Sequence, residues 1–290
     1  MKVSMRILGR LNHGNQGRED YFSQTKKKIL AFCDQGDKIA EVTLPDGETV
    51  IEEKEGYKSH RIILSEIRDL WTVETFQWLK ECGVNLHAGY EWPLIIAADQ
   101  GCLEVIKYLK DNGANIRTQN DLALRRAAME GHLEVVAYLV DHGADIHTLD
   151  DEVLDFAVSY GHLDIVKYLV EHGADIHAKD GQILCKAAQY DYLNIVTYFV
   201  EQGIDVHLGD ESALRWAAAE GHLEIVQYLV NHGANIHAKD DDALCLATMG
   251  GHLNIVKYLV KQGANIHAQN KAAFRLAKKY GYPKIMRYQS

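Results

Sequence analysis

Proline is almost missing from this chain, 3 residues in 290, while 47% of positions are hydrophobic and 25% are charged. That balance excludes a collagen-like rod and a disordered tail, and it supplies apolar material for a core. The five cysteines (Cys33, Cys82, Cys102, Cys185, Cys245) are scattered and never form CxxC. Neither a disulfide framework nor a structural zinc site fits them, and a reducing compartment does. No window approaches the run of about 18 apolar residues that a membrane span needs, and no apolar stretch follows the basic start of the chain. A signal peptide and a membrane segment are therefore not expected, and the cytoplasm is the expected location, with the nucleus as the second choice.

Positive charge is also short. The formal net charge of −10 works against a phosphate backbone as main partner, because each phosphate needs a cation that outcompetes the surrounding carboxylates. The exception is residues 1–30, where Lys2, Arg6, Arg10, Arg18, Lys26, Lys27 and Lys28 meet only Glu19 and Asp20. A solvated basic face is the expected reading, and nucleic-acid binding there would weaken steeply with salt. Catalytic signatures are missing too, with no G-x-S-x-G, Walker-type loop or H-E-x-x-H. Each Cys/His or Asp/His proximity recurs along the chain, whereas an active site is normally built once. The expectation is a protein that is not an enzyme and needs no cofactor.

What the chain has in abundance is one sentence. "GHLEVVAYLVDHGADIH" at 131–147 returns at 161, 221 and 251, and more loosely at 101, 191 and 281. Its apolar residues Leu133, Val136, Ala137 and Val140 stand at i, i+3, i+4 and i+7, one helical face. A glycine follows each stretch, at Gly83, Gly113, Gly143, Gly173, Gly203, Gly233 and Gly263, as a left-handed helix cap requires. A shorter apolar pattern precedes it, as in DDALCLATMG, where Leu244, Ala247 and Thr248 share a face. Each unit is thus a helical hairpin that cannot bury its stripe alone and must stack on its neighbours. A column at Tyr108, Tyr138, Tyr168, Tyr198, Tyr228, Tyr258 and Tyr288, with Trp78 one unit earlier, reads as packing.

"GHLEIVQYLVNHGANIHAKD" at 221–240 resembles the second helix, turn and loop of the ankyrin repeat. The resemblance covers residues 61–290. The period here is 30 against the usual 33 or so, and of the T-P-L-H-x-A signature only the Leu and Ala remain, as at Leu214 and Ala217, with Pro93-Leu94 a fuller remnant. Shortened fingers between loop and first helix are therefore expected. The short form is also similar to ankyrin proteins encoded in multiple copies by giant DNA viruses of amoebae. The expected fold class is an all-α repeat solenoid preceded by a small α+β segment: residues 1–60 as an N-terminal module, a capping unit at 61–90, six units at 91–270 and a truncated cap at 271–290. The unit at 181–210 is the most degenerate, with Asp191-Tyr192 for Gly-His. Within residues 1–60, "EVTLPDGETVIEE" suggests a hairpin turning at Pro45–Glu48, and residues 21–32 suggest a helix.

Thirteen of the 15 histidines fall inside the array. His147, His177, His207, His237 and His267 recur one unit apart, a helix-packing distance of roughly 10 Å. Zinc needs its ligands near 2 Å, so a structural role is expected, and no metal site. His132, His162, His222 and His252 open the second helices and are expected to bridge backbone groups.

The variable positions are more informative. With Leu244, Ala247 and Thr248 buried, the columns equivalent to 242, 245, 246 and 249 are expected to be exposed. They contain Trp92, Arg126, Met129, Phe156, Lys186, Gln189, Trp216 and Met249, the expected partner-binding residues, since Trp and Arg dominate interface hot spots. In ankyrin proteins the first helices and fingers line a concave groove, so the resemblance implies a monomeric scaffold that binds a protein partner there. The alternative is a structural or assembly component that self-associates, for example in a viral particle.

Overall fold

The computed structural model describes residues 6–7, 29–33, 38–43, 51–53, 56–58, 63–64, 66–177 and 181–289. They fall into two compact units, Met1–Asp145 and Ile146–Ser290.

The first unit opens with short strands: β1 (Arg6–Ile7), β2 (Ile29–Cys33), β3 (Lys38–Thr43), β4 (Ile51–Glu53), β5 (Gly56–Lys58), β6 (Ile63–Leu64) and β7 (Arg68–Asp69). One antiparallel sheet runs β1-β2-β3-β6, with β7 also on β3, and β4 pairs with β5. Two expectations are corrected here. Residues 29–32 form strand β2 rather than the end of a helix, because ILAFC is a short apolar run whose state is decided by its partner, KIAEVT, in register Ala31↔Ala40. The remaining residues of that expected helix, 21–28, lie outside the described residues. Among the described residues, the two arms of the expected hairpin do not pair with each other either: β3 pairs with β2, and β4 pairs with β5 across only two residues, which costs less loop-closure entropy. The turn at Pro45–Glu48 lies outside the described residues. Strands β6 and β7 occupy the first half of the unit expected at 61–90, and its second half is helix α1 (Val73–Glu81), whose N-cap Thr72 accepts the Thr75 N–H at 3.2 Å.

The rest of the first unit is α2 (Ala88–Asp99), α3 (Leu103–Asp111), α4 (Thr118–Glu130) and α5 (Leu133–Asp141). The second unit contains α6 (Thr148–Ser159), α7 (Leu163–Glu171), α8 (Gln182–Gln189), α9 (Leu193–Glu201), α10 (Leu208–Glu220), α11 (Leu223–Asn231), α12 (Ala238–Met249), α13 (Leu253–Lys261), α14 (Ala268–Tyr280) and α15 (Pro283–Gln289). Within the first unit α2 packs on α4, and α3 on α1 and α5. Within the second, α6, α8, α10, α12 and α14 stack in order, as do α7, α9, α11, α13 and α15. Most second helices have nine residues, too few to be stable in isolation, where about 12–15 are needed. Stacking supplies the difference. Val135, Val136 and Leu139 in α5 are at most 1% exposed, and small pairs such as Ala127-Ala128 and Ala217-Ala218, all fully buried, let first helices approach closely. Thr248 is buried among them because its hydroxyl donates to the Leu244 carbonyl at 2.9 Å.

The shortened finger has a definite form. In place of a hairpin, most first helices open with three successive left-handed residues: Gly89–Glu91, Gln119–Asp121, Leu149–Asp151, Gly209–Glu211 and Lys239–Asp241, with φ between 50° and 65°. Such a conformation costs roughly 1–2 kcal/mol for each residue bearing a Cβ. The third residue is always acidic and holds the turn in place. Asp121, Glu211 and Asp241 are at most 4% exposed. Asp121 accepts the Asp145 N–H at 3.1 Å, Asp241 accepts the Asn265 N–H at 3.0 Å, and Glu91 accepts the Asn115 N–H at 3.2 Å, so these three fingers fasten the loop that follows.

Candidate functional site: the first-helix face

Histidine builds much of the frame. Four of the loop histidines meet the acid four residues on: His87 with Glu91 at 2.9 Å, His147 with Asp151 at 2.7 Å, His207 with Glu211 at 2.7 Å and His237 with Asp241 at 3.0 Å. The hydrogen bond to Glu211, reinforced by that carboxylate's charge, lifts the His207 imidazole above its ordinary value. A second set crosses from one hairpin to the one before. The ring nitrogen Nε2 of His132 lies 2.9 Å from the Asp99 carbonyl, that of His222 2.8 Å from Gln189, and that of His252 2.9 Å from Ala219. Where the sequence substitutes tyrosine, the phenol makes the same reach, Tyr192 to Ser159 and Tyr282 to Met249. These bonds pin the C-terminal turns of α2, α6, α8, α10 and α12, among them the turns that carry Gln189 and Met249. A third set was not foreseen. His142, His172 and His232 donate Nδ1–H to the carbonyls of Tyr138, Tyr168 and Tyr228 at 2.7–2.8 Å and lie against those tyrosine rings, capping second helices. Among the described residues no group of three or more His, Cys, Asp or Glu is placed to hold a metal ion. Burial pushes the Cys102 and Cys185 thiols up, and that of Cys245 to about 11, so all three stay protonated near neutrality and are poor nucleophiles.

In the first unit, Trp92 on α2 and Arg126 and Met129 on α4 are half-buried. Arg126 reaches Asp99 of the neighbouring first helix at 3.8 Å. In the second unit, Phe156, Lys186 and Gln189 are half-buried, whereas Trp216 and Met249 are 46% and 41% exposed. Lys186 pairs with Asp155 on the preceding first helix, and Arg215 pairs with Asp242 on the following one at 2.7 Å. The expected contact residues Arg126 and Lys186 thus also bind helix to helix. One expected column is corrected: at position 245 and its equivalents, Cys245 and Ile95 are 5% and 1% exposed, and Arg125, Asp155, Cys185 and Arg215 are half-buried. That column lies only about 60° from Thr248 at about 100° per residue, close enough to be covered by the neighbouring helix.

Two residues escaped the sequence reading. Tyr160 and Tyr190, 51% and 50% exposed, follow α6 and α8 directly, beside Phe156 and Lys186. The signal existed, since the equivalent of 250 is about 40° from the equivalent of 246 on the helical wheel. With them, the second unit presents Tyr160, Tyr190, Trp216 and Met249 on or directly after four successive first helices, with an ion pair joining α6 to α8 and another joining α10 to α12.

The described helices define a protein of stacked helical hairpins, each joined to the next by a glycine-capped loop and a short turn. The family described as ankyrin repeats (3 copies) matches residues 69–150, 94–180, 154–240 and 184–270, and the chain belongs to this family, whose repeats generally serve protein–protein interaction. Among solved structures, the ankyrin repeat domain of human ASB11 is similar, with a TM-score of 0.60 and 23% identity over 68% of this chain and 97% of that one. At that identity the likeness speaks for the fold. A comparison with curated proteins found no match. No helix among the described residues is long and apolar enough to cross a membrane.

Proposed function

We propose that the chain is a non-enzymatic scaffold that captures a partner protein on the first-helix face of residues 146–290. The observation that carries this reading is the run of exposed Tyr160, Tyr190, Trp216 and Met249 on or directly after helices whose C-terminal turns are held by side chains of the following hairpins. Tyr and Trp offer large contact areas at little entropic cost, and a set of them left in water is what an unoccupied hot spot looks like. The ion pairs Lys186–Asp155 and Arg215–Asp242 would then form the polar surround, and Trp92, Arg126 and Met129 would extend contact on the first unit's own face.

The test is an affinity capture that compares the intact chain with a variant carrying Arg126→Ala, Lys186→Ala and Trp216→Ala, both checked by circular dichroism. A protein retained by the first and lost by the second supports the reading. An identical set retained by both defeats it. Light scattering separates the assembly alternative, which requires oligomers that grow with concentration.

A further inference from the structure

All 41 acidic residues of the chain precede residue 243, and the 48 residues that follow carry eight Lys and Arg without one Asp or Glu. Their described members, Lys257 and Lys261 on α13, Arg275, Lys278 and Lys279 on α14, and Lys284 on α15, are all exposed. On α14 the buried side is Ala272, Ala273 and Ala277. Phe274, Arg275, Lys278 and Lys279 occupy an arc of about 140° on the other side.

The positions are telling. Lys278 stands where the preceding unit has Thr248, 0% exposed, and Phe274 stands where it has Leu244, 1% exposed. A unit that merely faces water needs polar residues of either sign. Here one sign is used, in a chain whose acids outnumber its bases, and a phenylalanine 37% exposed sits among the cations. The helix dipole favours a base or two in a last turn, yet α4, α6, α10 and α12 carry none there.

We propose that this surface docks an acidic protein segment, with carboxylates against Lys278, Lys279 and Lys284 and an apolar side chain against Phe274. The size fits: α14 is about 20 Å long, the reach of about six extended residues. A nucleic acid long enough to run past α14 would leave this carboxylate-free stretch for the rest of a chain of formal net charge −10, where a short acidic segment would stay on it. This surface is distinct in chemistry from the aromatic run at Tyr160–Met249, and it stands whether or not that run binds a protein.

The probe is a dye-labelled peptide of eight glutamates around one tryptophan, titrated by fluorescence anisotropy against the full chain, with a labelled oligothymidine of similar charge in parallel. The expected result is saturable peptide binding that weakens with salt, falls at least tenfold in a Lys278→Glu, Lys279→Glu variant and several-fold in Phe274→Ala, and is untouched by Trp216→Ala. If the double variant loses its helical dichroism, Lys284→Glu alone is read for the same loss. Absence of peptide binding, binding indifferent to these substitutions, or tighter binding of the oligonucleotide each overturns the proposal.

Discussion

Gly221 and Gly143 occupy left-handed backbone for different reasons. Gly143 follows a second helix with φ 94° and open space where a Cβ would stand, so only its backbone conformation asks for glycine. Gly221, at φ 96°, would also drive a Cβ to 2.6 Å from the His252 ring, which is bonded to the Ala219 carbonyl. Gly143→Ala should therefore cost about 1 kcal/mol, and Gly221→Ala about twice that, as the histidine bond is disturbed as well. Urea unfolding of both variants checks the order. The cap glycines were legible from spacing alone and a backbone-bridging role for His252 was expected, but its partner, the Ala219 carbonyl, lies more than thirty residues away and could not be read from the local pattern. His207 offers a second test. Its folded value is raised by Glu211, so the pair's contribution is complete below the ordinary imidazole value of about 6.5 and is lost as pH rises through the raised one. An NMR titration should find His207 above that ordinary value, and Glu211→Gln should bring it down; an unchanged midpoint would contradict the pairing.

At the scale of elements, the helices were readable because apolar spacing and terminal glycines agree, and the stacked arrangement followed from stripes too narrow to bury alone. The finger was readable only as an absence of residues. Its left-handed turn was not, since Gln119, Leu149 and Lys239 have no preference for positive φ, and at Asp121 and Asp241 the conformation is held by an acid whose partner lies in the next loop. Removing such an acid should release that loop. Asp241→Ala leaves the Asn265 N–H without its acceptor, with an expected loss of about 1–3 kcal/mol. Hydrogen exchange should show the Asn265 amide exchanging markedly faster, and unchanged protection would mean that the turn is held by something else. The N-terminal strands were misread in part for a related reason: ILAFC is too short for its period to separate strand from helix.

At the scale of the molecule, repetition specifies a scaffold and variation specifies what it carries. The variable columns of the first helices were visible in the sequence, including Trp216 and Met249. Tyr160 and Tyr190 were passed over because they lie one residue beyond the last apolar turn, although the helical wheel sets them beside the column of 246. The ion pairs of Lys186 and Arg126 depend on neighbouring units and were likewise hidden. The central claim is that a partner protein lies on the first-helix face of residues 146–290. The measurement that tests it most directly places a photoreactive side chain in place of Tyr190, or in place of the exposed Lys167 on second helix α7, and cross-links the captured partner. Cross-linking from position 190 and none from 167 is the expected result. Cross-linking from 167 and none from 190 would place the partner on the second helices and contradict the claim.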